Sequence, residues 1–570
     1  MAGDGKKDFD FEGIPLMFTD KENVLELIAL LRKHGIKHLV LCPGSRNLAL
    51  IQGFCQAETF NIHPVTDERS AGFYALGIIA AENEPCAVVV TSGSALLNLH
   101  PAVAEAHYQK LPLLVISADR PQAWIDQMDG QTIHQPFVFK DLTIYSANLP
   151  EIKDEETAWQ CNRVINEAIL FLNGPTLGPV HLNVPISEPF FDFPVEQLPQ
   201  PRTIFEYEVE LLPKIVAKYK RPWLILGQNS RGPYLSEDDI NQLTERFYIF
   251  AEHLANVGDE NIPGNTDLVL SLLNRDQKEL IAPDCVISFG GHIVSKQLKH
   301  FLRGIPVHHY QISPEKNLVD LFKKLVGKIT CSPEIALHYL KTCPINIEGL
   351  YDIHHYSAEI KNIVDQTVIQ GWNQLSVLRC VMDYLPDRCT VHLANSSTVR
   401  YAQLFSGGSN EIRYRCNRGV NGIEGSLSEA VGAALSTPNE KHVLLIGDLS
   451  FFYDMNALGI SGLPSNLLIV LFNNHGGEIF ALLPGLKLDP QSDAVVKATH
   501  NLSARGWARD CGAQYQMVTD LESLRIALER FSNSPDGAAL LECSTEQDYD
   551  VKVFRAFMSD IRAKFVNQNI

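Results

Sequence analysis

The pattern that most restricts this chain is a short apolar run, then a small-residue loop, then a helical stretch, repeated along its length. HLVLC (38–42) leads into PGSR (43–46), CAVVV (86–90) into TSGSA (91–95), and LLVIS (113–117) into ADRP (118–121). Ahead of them, Val24, Leu27, Ile28 and Leu31 recur at helical spacing within residues 20–36, and Gly35 follows. Apolar strands alternating with helices belong to parallel sheets covered on both faces. Such sheets bind ligands in the loops beyond the carboxyl ends of their strands. The rhythm returns in WLILG (223–227), YIFAEH (248–253), CVISFGG (285–291) and VHHYQIS (307–313), and again in VHLAN (391–395), HVLLIGD (442–448), LLIVLFNN (467–474) and AALLECS (538–544). FPVEQLPQPR (193–202) reads as a linker, and PINIEGLYDIHHYS (344–357) as a second boundary. The expected fold is α/β, with three doubly wound parallel-sheet domains at 1–195, 203–345 and 355–570.

Charge narrows the choice of partners. The 570 residues carry 48 basic and 67 acidic side chains, a formal net charge of −19. That argues against nucleic acid and anionic membrane. An anionic substrate must then be attracted locally, against the field of the whole protein. The start MAGDGKKDFDFEG has no apolar core of a secretory signal, and no apolar run nears about 18 residues, so a cytoplasmic protein without a membrane span is expected. The 12 cysteines lack CxxC pairs and zinc spacing; Cys331/Cys343 and Cys380/Cys389 are the closest pairs. Free buried thiols, such as Cys86 and Cys285 within apolar runs, are the expectation.

The most informative segment is GDLSFFYDMNALGISGLPSNLLIVLFNNHGGE, residues 447–478. A strand ends at Ile446, Gly447 turns the backbone, and Asp448 presents a carboxylate at the sheet edge, with a helix starting near Ser450. A second strand ends at Asn473 and Asn474, before Gly476 and Gly477. One carboxylate, one amide oxygen and a carbonyl near Gly476, with two phosphate oxygens and a water, make an octahedral Mg²⁺ site. GD or NN alone is ordinary turn sequence; the ordered combination is much rarer. It resembles the motif of the thiamine-diphosphate enzymes. The resemblance implies that Asp448, Asn474 and the Gly476 carbonyl bind Mg²⁺ (or Mn²⁺), with Gly447, Leu449, Ser450 and Ile479 around the cofactor.

That cofactor needs a buried glutamate to share a proton with its pyrimidine ring. In NIHPVTDERSAGFYALG (61–77), Glu68 follows a short extended segment and opens a helix with small residues at Ala71, Gly72 and Ala75. Alone, a DER run is a solvated helix start; the family pattern makes Glu68 the activating group.

Finer motifs resemble the menaquinone-pathway synthases of this superfamily over nearly the whole chain: PGSR (43–46), TDER (66–69), ADRP with a glutamine eleven residues after its arginine (Arg120, Gln131), NSSTVR (395–400) and NRGVNGIEG (417–425). The resemblance implies a transferase that decarboxylates 2-oxoglutarate on thiamine diphosphate. The resulting carbanion adds to the ring of isochorismate, in a homodimer or dimer of dimers. Ile423 is expected beneath the cofactor and the Asn421 backbone at its amino group. Substrate carboxylates are expected on Arg46, Arg120, Lys296, Arg400 and Arg418, with hydrogen bonds from Ser45, Gln131 and Ser396. A lone arginine is more often a surface ion pair, but four of these five cations follow expected strand ends. Two departures stand out: Gln297 follows Lys296 where some relatives have a second cation, and His475 interrupts NNHGGE. The histidine pairs 308–309 and 354–355 lie beside no cofactor loop. The alternatives are another thiamine-dependent synthase or decarboxylase, and a silent binding protein of the same fold.

Overall fold

The computed structural model describes residues 17–174, 176–229, 235–257, 262, 265–345, 350–405, 411–483, 485–533 and 537–568, so the opening segment read above lies outside them. The chain forms two compact units. The first runs to Tyr207 and takes in Glu315–Lys328; the second holds Glu208–Pro314 and the chain from Ile329 onward.

The first unit is built on β1 (His38–Leu41), β2 (Asn61–Pro64), β3 (Cys86–Val90), β4 (Leu113–Asp119), β5 (Tyr145–Asn148) and β6 (Val180–Pro185), in the order β2-β1-β3-β4-β6-β5. All their pairings are parallel. Alternate residues serve opposite faces. Leu39, Ala87, Val89, Leu114 and Ile116 pack into one core; Val40, Val88, Val90, Leu113 and Val115 pack into the other. That period of two, with both faces apolar, explains why these strands read as unbroken hydrophobic runs. β7 (Phe205–Glu206) pairs in parallel with β12 (Leu325–Ile329) through Gly327 and Lys328.

In the second unit, β8 (Pro222–Leu226), β9 (Tyr248–Ala251), β10 (Cys285–Phe289) and β11 (His308–Ile312) run in parallel in the order β11-β10-β8-β9. A six-stranded parallel sheet follows, from β13 (Cys389–Leu393), β14 (Ile412–Arg415), β15 (Lys441–Gly447), β16 (Leu467–Asn473), β17 (Gln514–Val518) and β18 (Ala539–Ser544), in the order β14-β13-β15-β16-β18-β17. The expected α/β architecture, built on three parallel sheets with helices, is therefore present.

Of the stretch 344–357, residues from Leu350 belong to the helix Leu350–Gln366, whose Ile353, Ile360, Ile363 and Val364 are buried, while residues 346–349 lie outside the described chain. The metal-loop helix starts at Asp448, not near Ser450, and runs to Asp454. Several strands were also not anticipated. β6 hides His181 and Asn183 at fully buried positions, where Ser117 meets His181 Nε2 and donates to Asn183, and Asp119 accepts from Asn183. Polar residues inside a buried strand erase the apolar signal.

All twelve cysteines are free thiols, most of them buried, as expected. Among the described residues no helix is long and apolar enough to cross a membrane.

Burial holds the imidazoles of His181 and His253 down to about 3, the Arg418 charge adding to the effect at His253, and holds that of His442 to about 4. The unfolded chain, with histidine near 6.5, takes up protons that the fold refuses. The stability this gives is present above about pH 6.5 and lost as pH falls toward 4. The apparent melting temperature is expected to fall steadily from about pH 7 to about pH 5, and His442→Gln is expected to flatten part of that slope. A melting temperature constant over that range rules the account out.

Candidate active site

In the second unit, β15 and β16 are neighbours with Gly447 opposite Phe472, so their carboxyl ends deliver Asp448 and Asn474 side by side. Both are buried, at 3% and 5% exposure. Asp448 accepts the N–H of Leu449 at 2.6 Å and of Gly476 at 2.9 Å. The Asn474 amide donates to Glu478 at 3.0 Å, and Glu478 accepts the Tyr401 hydroxyl at 3.1 Å. Gly476 has φ +154, and a Cβ there would meet the Lys497 carbonyl oxygen at 2.7 Å, so only glycine fits.

This corner suits a cation and phosphate. Burial raises the pKa of Asp448, opposed by Leu449 N–H and His500. Burial, with Asp550 and Asp448 nearby, pushes the Glu478 carboxyl up to about 8. A buried carboxylate in that condition wants a compensating cation. His500 Nε2 lies 3.4 Å from Asp448 Oδ2 without hydrogen-bond geometry, and it and His475 Nδ1 are buried donors or acceptors with no partner. No group of three or more His, Cys, Asp or Glu side chains able to hold a metal occurs among the described residues.

The loop 417–425 is fastened to that corner. Ser450 donates its hydroxyl to the Ile423 carbonyl. Asn395 donates to the carbonyls of Asn417 at 2.8 Å and Gly422 at 2.6 Å. Asn421 adopts φ +65 and is exposed, while Ile423 is half-buried.

The cations of this unit converge. Arg418, 8% exposed, gives one N–H to Asn395 at 2.8 Å, and its Nε has no partner. Arg400 donates to the carbonyl of Ser396 at 2.6 Å; Ser396 itself has φ +80. Burial and then the Arg418 charge lower the Arg400 pKa, and Asp267 opposes them. Arg400 and Lys296 line one cavity of about 370 Å³, with Ile479, Leu483 and Phe554 as apolar walls. Like charges held this close in a partly desolvated pocket are arranged for an anion. Sequence reasoning missed Lys299, whose pKa is lowered by burial and, after an opposing Glu252, by Arg418. One helical turn after Lys296, it could have been weighed with that residue.

In the first unit, Glu68 opens the helix Glu68–Glu82, capped by Asp67, which accepts the Ser70 N–H at 2.7 Å. Ala71, Gly72 and Ala75 are buried against neighbouring elements. Glu68 was expected to be buried. In the single chain it is half-exposed, with Asn98 donating to it at 3.3 Å. Arg120 and Gln131 do meet: the guanidinium reaches the Gln131 carbonyl at 3.5 Å and the Ser92 hydroxyl at 3.1 Å, and also pairs with Asp129. Arg46 behaves differently. It is buried, donates to the Ile186 carbonyl and Glu188 at 3.1 and 2.9 Å, and stacks over Phe190. Its neighbour Ser45 is exposed.

Residues 25–139 match the N-terminal TPP binding domain of thiamine pyrophosphate enzymes, 249–393 the middle domain and 397–543 the C-terminal TPP binding domain. The 2-succinyl-5-enolpyruvyl-6-hydroxy-3-cyclohexene-1-carboxylate synthase of Phocaeicola vulgatus is 42% identical over 569 residues, covering 96% of this chain and 100% of that protein. The chain belongs to this synthase family. The Bacteroides fragilis synthase is 41% identical over 96% of this chain and 100% of its own. That from Flavobacterium johnsoniae is 35% identical over 91% and 95%. With both TPP binding domains matched, the chain is a thiamine-diphosphate-dependent enzyme.

Proposed function

We propose that this protein makes 2-succinyl-5-enolpyruvyl-6-hydroxy-3-cyclohexene-1-carboxylate from 2-oxoglutarate and isochorismate, with thiamine diphosphate and Mg²⁺ or Mn²⁺ bound. The observation that carries the reading is the pair Lys296 and Arg400 lining one pocket of an otherwise acidic protein, with Arg418 near enough to lower the Arg400 pKa. Both substrates carry two carboxylates, whereas simpler decarboxylases of the superfamily handle monoanionic acids. We read residues 1–195 as the pyrimidine-binding domain, 203–345 as the central domain and 355–570 as the diphosphate-binding domain.

When bound, the cofactor supplies a carbon nucleophile and an electron sink for decarboxylation. The residues do the rest. Asp448, Asn474 and the Gly476 carbonyl would hold the metal and through it the diphosphate. Glu68 would hold the proton that the pyrimidine ring needs. Arg400 and Arg418 offer N–H forks to carboxylates, and the low dielectric of a half-closed pocket strengthens each contact. Arg120 and Gln131 sit on the Glu68 side. Arg46, already engaged by Glu188 and Phe190, is assigned a substrate role only if Glu188 is displaced. The apolar walls Ile479 and Leu483 keep water from the reacting carbon. The assembly is a homodimer or a pair of dimers.

The test is consumption of isochorismate with 2-oxoglutarate, thiamine diphosphate and Mg²⁺ present. Arg400→Ala and Arg418→Ala are each expected to lower kcat/KM by roughly ten- to a hundredfold, the equivalent of about 1.5–3 kcal/mol, with cofactor affinity unchanged. If both leave kcat/KM intact for both substrates, the pocket is assigned wrongly.

A further inference from the structure

The loop that presents Lys296 is held by a buried carboxylate outside the chemistry proposed above. Glu252 follows β9 and is 5% exposed. Its two oxygens accept the backbone N–H of Val294 at 2.6 Å and of Ser295 at 2.5 Å, the two residues before Lys296. Beyond Lys296, the Gln297 N–H is taken by Asp267 at 3.2 Å, and Asp267 also accepts the Ser295 hydroxyl. Lys299 donates to the Ile293 carbonyl at 2.7 Å. The backbone is thus fastened on both sides of Lys296, and Lys296 itself lines the cavity with Arg400.

A carboxylate is an unusual choice for so buried a position, because its desolvation is costly. Burial raises the Glu252 pKa, and the two N–H bonds oppose that shift. What a carboxylate provides here is two acceptors in one plane for two successive N–H groups. A glutamine offers one acceptor, and its NH₂ would face the other N–H.

We propose that Glu252 is a positioning residue: it fixes the 293–297 loop so that Lys296 faces Arg400 across the cavity, and so sets how tightly one substrate carboxylate is held. The inference rests on reading Lys296 as a substrate cation. Glu252 also lies close enough to Lys299 to raise its pKa, and Lys299 in turn feels the charges of Arg418 and Lys296. If the role of Glu252 were only to balance these cations, removing the charge would strengthen anion binding. Positioning and charge balance therefore predict opposite signs.

The experiment measures KM for 2-oxoglutarate and for isochorismate separately in Lys296→Ala, Glu252→Gln and the double variant, with circular dichroism and melting as controls of folding. Lys296→Ala is expected to raise the KM of one substrate. Glu252→Gln is expected to raise the KM of that same substrate roughly tenfold, with kcat changed far less, and the double variant to be no worse than Lys296→Ala alone. A lower KM in Glu252→Gln, a rise for the other substrate, or full additivity in the double variant overturns the proposal. Ser295→Ala reaches the same loop without touching the buried charge, and a smaller rise in the same KM is expected. If Glu252→Gln does not fold, Ser295→Ala decides, and no change there overturns the proposal. If Lys296→Ala moves neither KM, the reading of Lys296 fails and this inference falls with it; if Lys296→Ala moves one and Glu252→Gln moves none, only the inference fails.

Discussion

Asp448→Asn is expected to weaken thiamine diphosphate binding in the presence of Mg²⁺ by at least about a hundredfold, close to 3 kcal/mol. The substitution keeps the size of the side chain and one acceptor for the N–H groups of Leu449 and Gly476. What it removes is the one carboxylate of the proposed ligand set. A hard divalent cation then faces only neutral oxygens from the protein while still having to carry the charge of a diphosphate. Calorimetry with cofactor and Mg²⁺ reads the loss directly. Chelating the metal from the wild-type protein is expected to produce a similar loss, and chelation is expected to add little to the variant. The apo protein gives the complementary readout. Asp448 is 3% exposed, so neutralising it relieves a desolvated charge. The substitution also turns an NH₂ toward one of the two N–H groups, so the two effects oppose each other and the apo melting temperature is expected to change little. Wild-type affinity in Asp448→Asn sinks the metal assignment, whatever the activity assay shows.

The legibility of the sequence follows from which physics leaves a local trace. β3 was read residue for residue, because a strand buried on both faces is an unbroken apolar run. β17, QYQMV, was not seen: an edge strand with four partly or fully exposed residues has no such signature. Asp448, Asn474 and Gly476 could be read together because they fall within one segment, and the pairing of β15 with β16 places them at adjacent strand ends. The surroundings of that corner could not. His500 and Tyr401 reach that corner from other parts of the chain; no motif surrounds His500, and Tyr401 directly follows NSSTVR, which marks Arg400 and Ser396 and not the tyrosine. Glu252 lies within YIFAEH, which was recognised, yet its partners Val294 and Ser295 are some forty residues on. A buried carboxylate that serves backbone N–H groups has no motif. Arg46 shows another limit: a cation at a strand end in a family-like motif suggests a ligand, while its contacts with Glu188 and Phe190 leave no trace in the local sequence. Position in a loop narrows what a side chain can meet; tertiary partners decide what it does meet.

Mixing two inactive variants is expected to restore activity if the proposed homodimer shares its sites between copies. On the roles proposed above, one cofactor meets Glu68 through its pyrimidine and Asp448 through its metal, and two sheet ends supply these groups. We propose that the facing ends come from different copies of the chain. Two features of the first unit support this. Glu68 is only half-buried in the single chain, although its task requires exclusion of water. The helix it opens also exposes Phe73 and Tyr74 at 45% and 60%, with Leu97 at 42%, large apolar groups that suit coverage by a partner. Glu68→Gln chains and Asp448→Ala chains are each expected to be inactive. In a mixed two-fold dimer, one site carries both lesions and the other carries neither. Random exchange at equal amounts makes about half of the dimers mixed, so about a quarter of all sites are intact. Isochorismate consumption should therefore recover to about a quarter of the wild-type rate per chain, rising with the time allowed for exchange. Light scattering and exchange between tagged and untagged chains establish that mixing has occurred. Activity that stays absent after demonstrated exchange means that each chain builds its site alone, and that Glu68 acquires its cover from within its own chain.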